Sequence, residues 1–260
     1  MLKLEFMPEA TRKNFARLQD EPLMADFTLV GGTALALQVG HRTSEDLDFN
    51  VFGQTLPTRK LDQLMAKLKE EGAAIESLIS PEKKTAFKIN TGFDQDTLIQ
   101  DYLVDGSKVT FHARKEPDRP AAQIENLRSA QKIKPSPHGF DVMGVPGLFL
   151  MKSIVVYDRV RSRDLFDLMV LTKDHGFDLE NVFKAIEANQ PARHNDPEHF
   201  KSVATGVIPL DEGDEGFSSI RLNVKIQEIF KYFKSLVDEH EIQTALELAK
   251  ISRLEAPRGN

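Results

Sequence analysis

Two acids separated by one apolar residue, Asp46 and Asp48 in the stretch EDLDF, are the residues of this sequence best suited to do chemistry. In an extended strand, residues two apart project from the same face, with Cβ atoms about 7 Å apart. Carboxylates at that separation hold a hard divalent cation such as Mg²⁺ or Mn²⁺, which takes oxygen ligands and completes its shell with water and substrate phosphate. Leu47 and Phe49 face the opposite way and would anchor the strand in the core, as a rigid site requires.

Thirteen residues lie between Asp46 and an upstream pair, Gly31-Gly32. Without a Cβ the backbone can come close to a phosphate, and the N-terminus of a following helix offers free N–H groups and a positive dipole end. Thr33 can add a hydroxyl. A Gly-Gly turn alone is weak evidence, and an acid-x-acid pair is more often a solvated strand face. Together they describe a triphosphate cradle facing a metal site, which transfer of a nucleotidyl or phosphoryl group needs.

The elements that must position these groups are legible around them. Residues 1–24 read as a polar, loosely amphipathic helix. FTLV reads as a strand, TALALQVG as a helix stopped by Gly40, and DLDFNVF, with period two, as a strand with one polar face. Leu61, Leu64, Met65 and Leu68 recur at helical spacing over 59–72. AIESLI, TAFKIN and QDYLVDGSKVTFHA read as strands, the last a hairpin turning at Asp105-Gly106. The proline-rich stretch 115–139 reads as a connection with one short helix at 124–130. Everything after Pro146 reads as helical: PGLFLMKSIVVYDRV, SRDLFDLMVLTKDHG, SSIRLNVKIQEIFKYFKSLVDEHE and a last helix over 242–251, with QPARHNDPEHF and TGVIPLDEGDEGF as loops. The fold class is α+β: an N-terminal domain with a mixed sheet, residues 1–138, then an all-helical domain, residues 139–260.

Composition narrows the function. The chain has 260 residues, enough for a core that needs no disulfide or metal staple, and no cysteine, which removes thiol nucleophiles and Cys-ligated zinc. A net charge of −6 gives no global attraction to a polyanion, so nucleic-acid contact would need a local basic patch. No apolar run approaches the roughly 20 residues of a membrane helix, and the first residues carry acids where a signal peptide has an apolar core. A soluble, unprocessed cytoplasmic protein without membrane attachment is expected.

LVGGTALALQVGHRTSEDLDF resembles the first motif of the AbiEii/AbiGii toxin branch of the minimal nucleotidyltransferase superfamily, with its Gly-His-Arg-x-Ser matched by Gly40, His41, Arg42 and Ser44. KSIVVYDRVRSRDLFDLMVL is similar to the branch's lysine followed by an Arg-x-x-x-Arg-Asp-x-x-Asp-Leu helix, filled by Lys152, Arg159, Arg163, Asp164 and Asp167. The resemblance implies a nucleotidyltransferase fold with an appended helical domain. It also implies Mg²⁺-dependent transfer of NMP from an NTP to a macromolecular acceptor such as tRNA or protein, by a phage-defence toxin restrained by a cognate antitoxin. Asp46 and Asp48 would hold the metal. Gly31, Gly32 and Thr33 would contact phosphates, with Arg42 as a further nucleotide contact. Lys152 would reach the triphosphate as a mobile cation, oriented by Asp167 or Asp164. The plain alternative for the second motif is a surface i,i+4 ion pair of Arg163 with Asp167, worth about 0.2–0.5 kcal/mol.

One position departs from the superfamily pattern. A later strand commonly supplies a third carboxylate from a hairpin reading Gly-x-Lys-Val-Asp-Phe, and GSKVTFHA places Thr110 there, with His112 two residues on and on the same face. Two alternatives to a two-carboxylate nucleotidyltransferase stay open: a catalytically impaired interaction module, and phosphoryl transfer to a partner protein. Arg193, His194, Asp196 and His199 match no ligand spacing, and Phe230, Phe233, Leu236 and Val237 form a core or partner-binding stripe.

Overall fold

The computed structural model describes residues 1–113, 121–189, 197–217, 222 and 224–255. Seven strands form one mixed sheet: β1 (Thr28–Val30), β2 (Leu47–Val51), β3 (Ile75–Ser77), β4 (Ile99–Val104), β5 (Ser107–Ala113), β6 (Lys132–Ile133) and β7 (Asp141–Met143). Their order is β3-β4-β5-β2-β1-β7-β6. β2 runs parallel to β5 and β1 parallel to β7, and the remaining pairs are antiparallel. β7 lies beyond the expected boundary at residue 138, so the sheet continues to Met143 and the helical part starts at Val145.

Period two decides which face is wet. Leu47, Phe49, Val109 and Phe111 are buried in a core shared with Phe15 and Leu18 of α1 (Glu9–Leu18) and Leu61, Leu64 and Leu68 of α3 (Thr58–Glu70). Phe49 sits between the rings of Phe111, at 5.5 Å, and Phe140, at 4.9 Å. The other face carries Asp48, Asn50, Thr110 and Asp101, fixed in register: Asp48 pairs with Thr110, and Thr110 with Asp101. The hairpin turns at Asp105 and Gly106, both at positive φ. Asp105 faces away from this row, paired with Lys13 and Arg17 of α1.

Helix α2 (Gly31–Val39) leaves β1 directly and packs on α6 (Val145–Asp158) and α7 (Ser162–Asp174), joining sheet to helices. α6 also packs against α8 (Leu179–Asn189) and α9 (Pro197–Ala204), and α10 (Ile226–Glu255) closes the group through Ile229, Phe233 and Val237. No helix among the described residues is long and apolar enough to cross a membrane.

Several expectations are corrected. TAFKIN is not a strand but part of α4 (Pro81–Thr91): Ser80 caps its N-terminus, Pro81 takes the first turn and Gly92 ends it at positive φ, so capping outweighs a chance alternation. The N-terminal helix is only α1, with short 3₁₀ turns on either side. α8 was not anticipated, and part of the loop QPARHNDPEHF is α9, whose preceding residues lie outside those described. The two last helices are one continuous α10, because no Gly or Pro interrupts 226–255.

Phe49→Ala should cost about 3–5 kcal/mol, because the ring is fully buried between two others and its loss leaves a cavity beneath Asp48. Urea unfolding measures this, and a loss below about 1 kcal/mol would contradict the packing described.

Candidate active site

The site forms where β1 passes into α2 and β2 begins beside it. Gly31 has φ +74°, and a Cβ there would stand 2.9 Å from Asp48 Oδ2. A Cβ on Gly32 would overlap the Arg42 guanidinium. The glycines therefore make room first for two of the protein's own side chains. No side chain caps the N-terminus of α2, so its first N–H groups remain available to an anion. Thr33 is buried, its hydroxyl bonded to the Asp46 carbonyl and 2.8 Å from the Ser44 hydroxyl. That side chain holds the loop before β2 in shape and does not face the open cavity.

Asp48 is half-buried, and burial first, then the neighbouring charge of Asp46, pushes its carboxyl up to about 6. Asp46 is also raised, chiefly by burial, with Glu215 adding to the effect and Lys108 opposing it. Among the described residues neither carboxylate has an ion-pair partner.

Behind them lies a network of buried charge centred on Asp167, which is 0% exposed. Arg42 grips it with two bonds, Nε to Oδ1 at 2.6 Å and Nη2 to Oδ2 at 3.0 Å. His41 Nε2 lies 2.7 Å from Oδ1, its ring stacked on Phe166. Lys152 Nζ lies 2.7 Å from Asp167 and 2.6 Å from Asp164, whose other oxygen accepts from Arg159 Nε at 2.8 Å. Burial works to raise the Asp167 pKa, but Arg42 and Lys152 hold it well below the usual carboxylate range. Burial likewise works to lower that of Lys152, and Asp164 and Asp167 reverse it, so this lysine stays charged. Lys152, expected as a cation reaching the triphosphate, is held in this structure between two carboxylates. Asp167 pairs with Arg42, not with Arg163 one turn earlier; the surface i,i+4 pair does not form.

An open cavity of about 320 Å³ joins these groups. Its cationic lining is Arg42, Lys152, Arg159, Arg161 and Arg163, five side chains. Six acids line it too: Glu45, Asp46, Asp48, Asp164, Asp214 and Glu215. The last two come from the loop 205–217, which the sequence reading left without a role. Asp214 accepts from the Ser162 N–H and hydroxyl, each at 2.9 Å, capping α7. Asp211 pairs with Arg161 at 3.2 Å, and Glu215 with Arg163 at 2.9 Å. The only sequence signal for this contribution was the acid-glycine pattern DEGDEG.

Thr110 lies beside Asp48 through the parallel pairing of β2 with β5, and His112 pairs in register with Asn50 farther along β5; neither lines the cavity. His199 contacts the Tyr157 carbonyl at 3.2 Å; Arg193, His194 and Asp196 lie outside the described residues. Phe233 and Val237 are core.

The donor set fits a hard divalent cation: two carboxylates that have no ion-pair partner among the described residues, open to a cavity whose lining is near charge balance. A polyphosphate entering such a lining meets about as many acids as bases, and a cation on Asp46 and Asp48 would tip the balance in its favour.

The family model described as "Nucleotidyl transferase AbiEii toxin, Type IV TA system" matches residues 15–248, extending well into the C-terminal third, where no motif was legible. The chain is 29% identical over 216 residues to aq_aa25, an uncharacterised protein of Aquifex aeolicus (strain VF5), covering 83% of this chain and 88% of that one. Among solved structures, a candidate nucleotidyltransferase from H. pylori aligns over 94% of this chain and 96% of its own, at 17% identity and a TM-score of 0.45. MenT4, the nucleotidyltransferase toxin Rv2826c of Mycobacterium tuberculosis H37Rv, aligns over 90% and 88%, at 12% identity and a TM-score of 0.45.

Asp167→Ala strands two buried cations and should cost about 3–5 kcal/mol in urea unfolding, whereas Glu215→Ala, which removes the exposed partner of Arg163, should cost under about 1 kcal/mol. Equal losses would sink the distinction between the two pairs. A raised carboxyl favours the fold below its unfolded pKa and loses that advantage as pH rises through about 6. In EDTA, Asp48→Asn should therefore stabilise the protein at pH 7.5, by on the order of 2 kcal/mol, and change little at pH 4. A pH-independent difference would show that Asp48 is not strained by its charge.

Proposed function

The chain belongs to the AbiEii family of nucleotidyl transferase toxins, and on that premise we propose that it transfers NMP from an NTP to a macromolecular acceptor, tRNA or protein, in the cytoplasm, under the restraint of a cognate antitoxin. The observation that carries this reading is the pair Asp46 and Asp48: both face the cavity, and among the described residues neither has an ion-pair partner although five cations line the same space. A divalent cation on these two acids would neutralise phosphate charge and polarise the α-phosphate.

The chain's own residues supply the rest. The uncapped end of α2 at Gly31 and Gly32 presents N–H groups to phosphate oxygens. Arg42 and Lys152 contribute fixed positive charge at the cavity wall, held in place by Asp167 and Asp164 so that little reorganisation is needed as negative charge develops. Arg159, Arg161 and Arg163 line the same cavity and offer further contacts to phosphate or acceptor. An acceptor hydroxyl attacking in line at the α-phosphate would release pyrophosphate toward this cationic side.

Incubation of the protein with each α-labelled NTP, Mg²⁺ and cell extract should label an RNA or protein acceptor, and Asp46→Ala should lower incorporation at least a hundredfold. Absence of label with all four NTPs, or equal labelling by Asp46→Ala, would overturn the reading. Label from γ-phosphate alone would indicate phosphoryl transfer instead.

A further inference from the structure

The polar face of the sheet holds one feature that the two acids of β2 do not explain. Asp48, Thr110 and Asp101 occupy one cross-strand row over β2, β5 and β4. Thr110 is 8% exposed, and its hydroxyl has no hydrogen-bond partner; the buried Oδ1 of Asp101, on the next strand, has none either. Leaving a buried hydroxyl or carboxylate oxygen unsatisfied is costly, more so for the charged group. Two such atoms side by side on the row that begins with Asp48 mark a place where a ligand or ordered water completes the structure. Asp101 is also close enough that its charge opposes ionisation of Asp48.

The ligand does not touch all the acids at once. Strands lie about 4.8 Å apart, which puts the Asp48 and Asp101 backbones about 9–10 Å from each other. Among the described residues no three His, Asp or Glu side chains come close enough to hold one ion. Thr110 stands midway, and a hydroxyl is short enough to leave space above it for solvent. A buried water needs two to four polar partners, which this row offers.

We propose that Thr110 and Asp101 form the outer shell of the cation site: water held between the Thr110 hydroxyl and the Asp101 carboxylate links them to an ion seated on Asp46 and Asp48. This rests on the metal-dependent reading above and adds the residues that complete it. Asp101 is a positioning residue. It acts through water, accepts the hydrogen bonds of the ion's bound solvent and supplies the negative charge that two first ligands leave short. Outer-shell partners of this kind typically contribute ten- to hundredfold to metal affinity.

The test is Mn²⁺ titration of the full chain at pH 7.5, followed by the EPR signal of the free ion, with urea unfolding of each variant as a check of the fold. Asp101→Asn should weaken Mn²⁺ binding about tenfold and Thr110→Val severalfold, at metal-free stability equal to or above that of the parent. Asp101→Glu, which keeps the carboxylate, should hold the affinity within about threefold of the parent; a purely structural role for Asp101 predicts no difference in affinity between the Glu and Asn variants. If the parent binds Mn²⁺ and Asp48→Asn abolishes it, while Asp101→Asn and Thr110→Val stay within twofold of the parent, the outer shell is refuted and the metal site stands. If the parent binds no Mn²⁺, both fall together.

Discussion

The site depends on one buried carboxylate. Asp167, on α7, is the common acceptor for His41 and Arg42 from the segment between α2 and β2, and for Lys152 from α6. Those partners are 126, 125 and 15 residues away in sequence. A carboxylate sealed from water cannot remain ionised without such partners, and the cations cannot remain buried without it. The mutual requirement locks the segment leading into β2 to the helical half, so the distance between the acids of β2 and the lysine of α6 is a property of the core.

The same constraint explains the glycines. Arg42 reaches Asp167 by crossing over Gly32, and Asp48 lies against Gly31. Any side chain at either position meets one of these groups, and at Gly31 it would also have to adopt φ +74°. Close approach of backbone to phosphate and close approach of backbone to Arg42 and Asp48 require the same residue type, and sequence alone does not separate them. Here the internal contacts are visible, and the free N–H groups at the start of α2 remain for an external anion.

What the sequence disclosed follows from the range of the interactions. Asp46 and Asp48 were legible because period two fixes a strand face within a few residues, and Thr110 because Asp105-Gly106 sets the hairpin register. Asp101 sits in the same hairpin, but an acid in a strand reads as a solvated position; only the pairing across two strands to Asp48 reveals its company. Lys152 and Asp164 were legible only through the resemblance of their segment to the family's second motif. The partners of Asp167 were not, since nothing local tells that His41 and Arg42 turn inward instead of toward a nucleotide. Loop 205–217 was invisible as part of the cavity for the same reason. Alternation misled at 85–90, where the cap residues Ser80 and Gly92 fixed a helix.

The cavity thus contains two kinds of ion pair with different consequences. Those that join Asp167 to Arg42 and Lys152, and Asp164 to Lys152, are buried in its wall, and removing a partner leaves buried charge uncompensated, so they persist whatever occupies the space. Those of Arg161 with Asp211 and Arg163 with Glu215 lie at the mouth, where the side chains are a quarter to two-thirds exposed. Pairs of that exposure contribute about 0–1 kcal/mol. A phosphate oxygen can replace Glu215 or Asp211 at small cost, because the displaced carboxylate returns to water. Arginines that are matched in the empty protein therefore remain usable by a polyanionic substrate, while the interior pairs hold Lys152 and Arg42 where that substrate would meet them. Such a division permits charge to be exchanged at the entrance without loosening the network that joins the two halves of the fold.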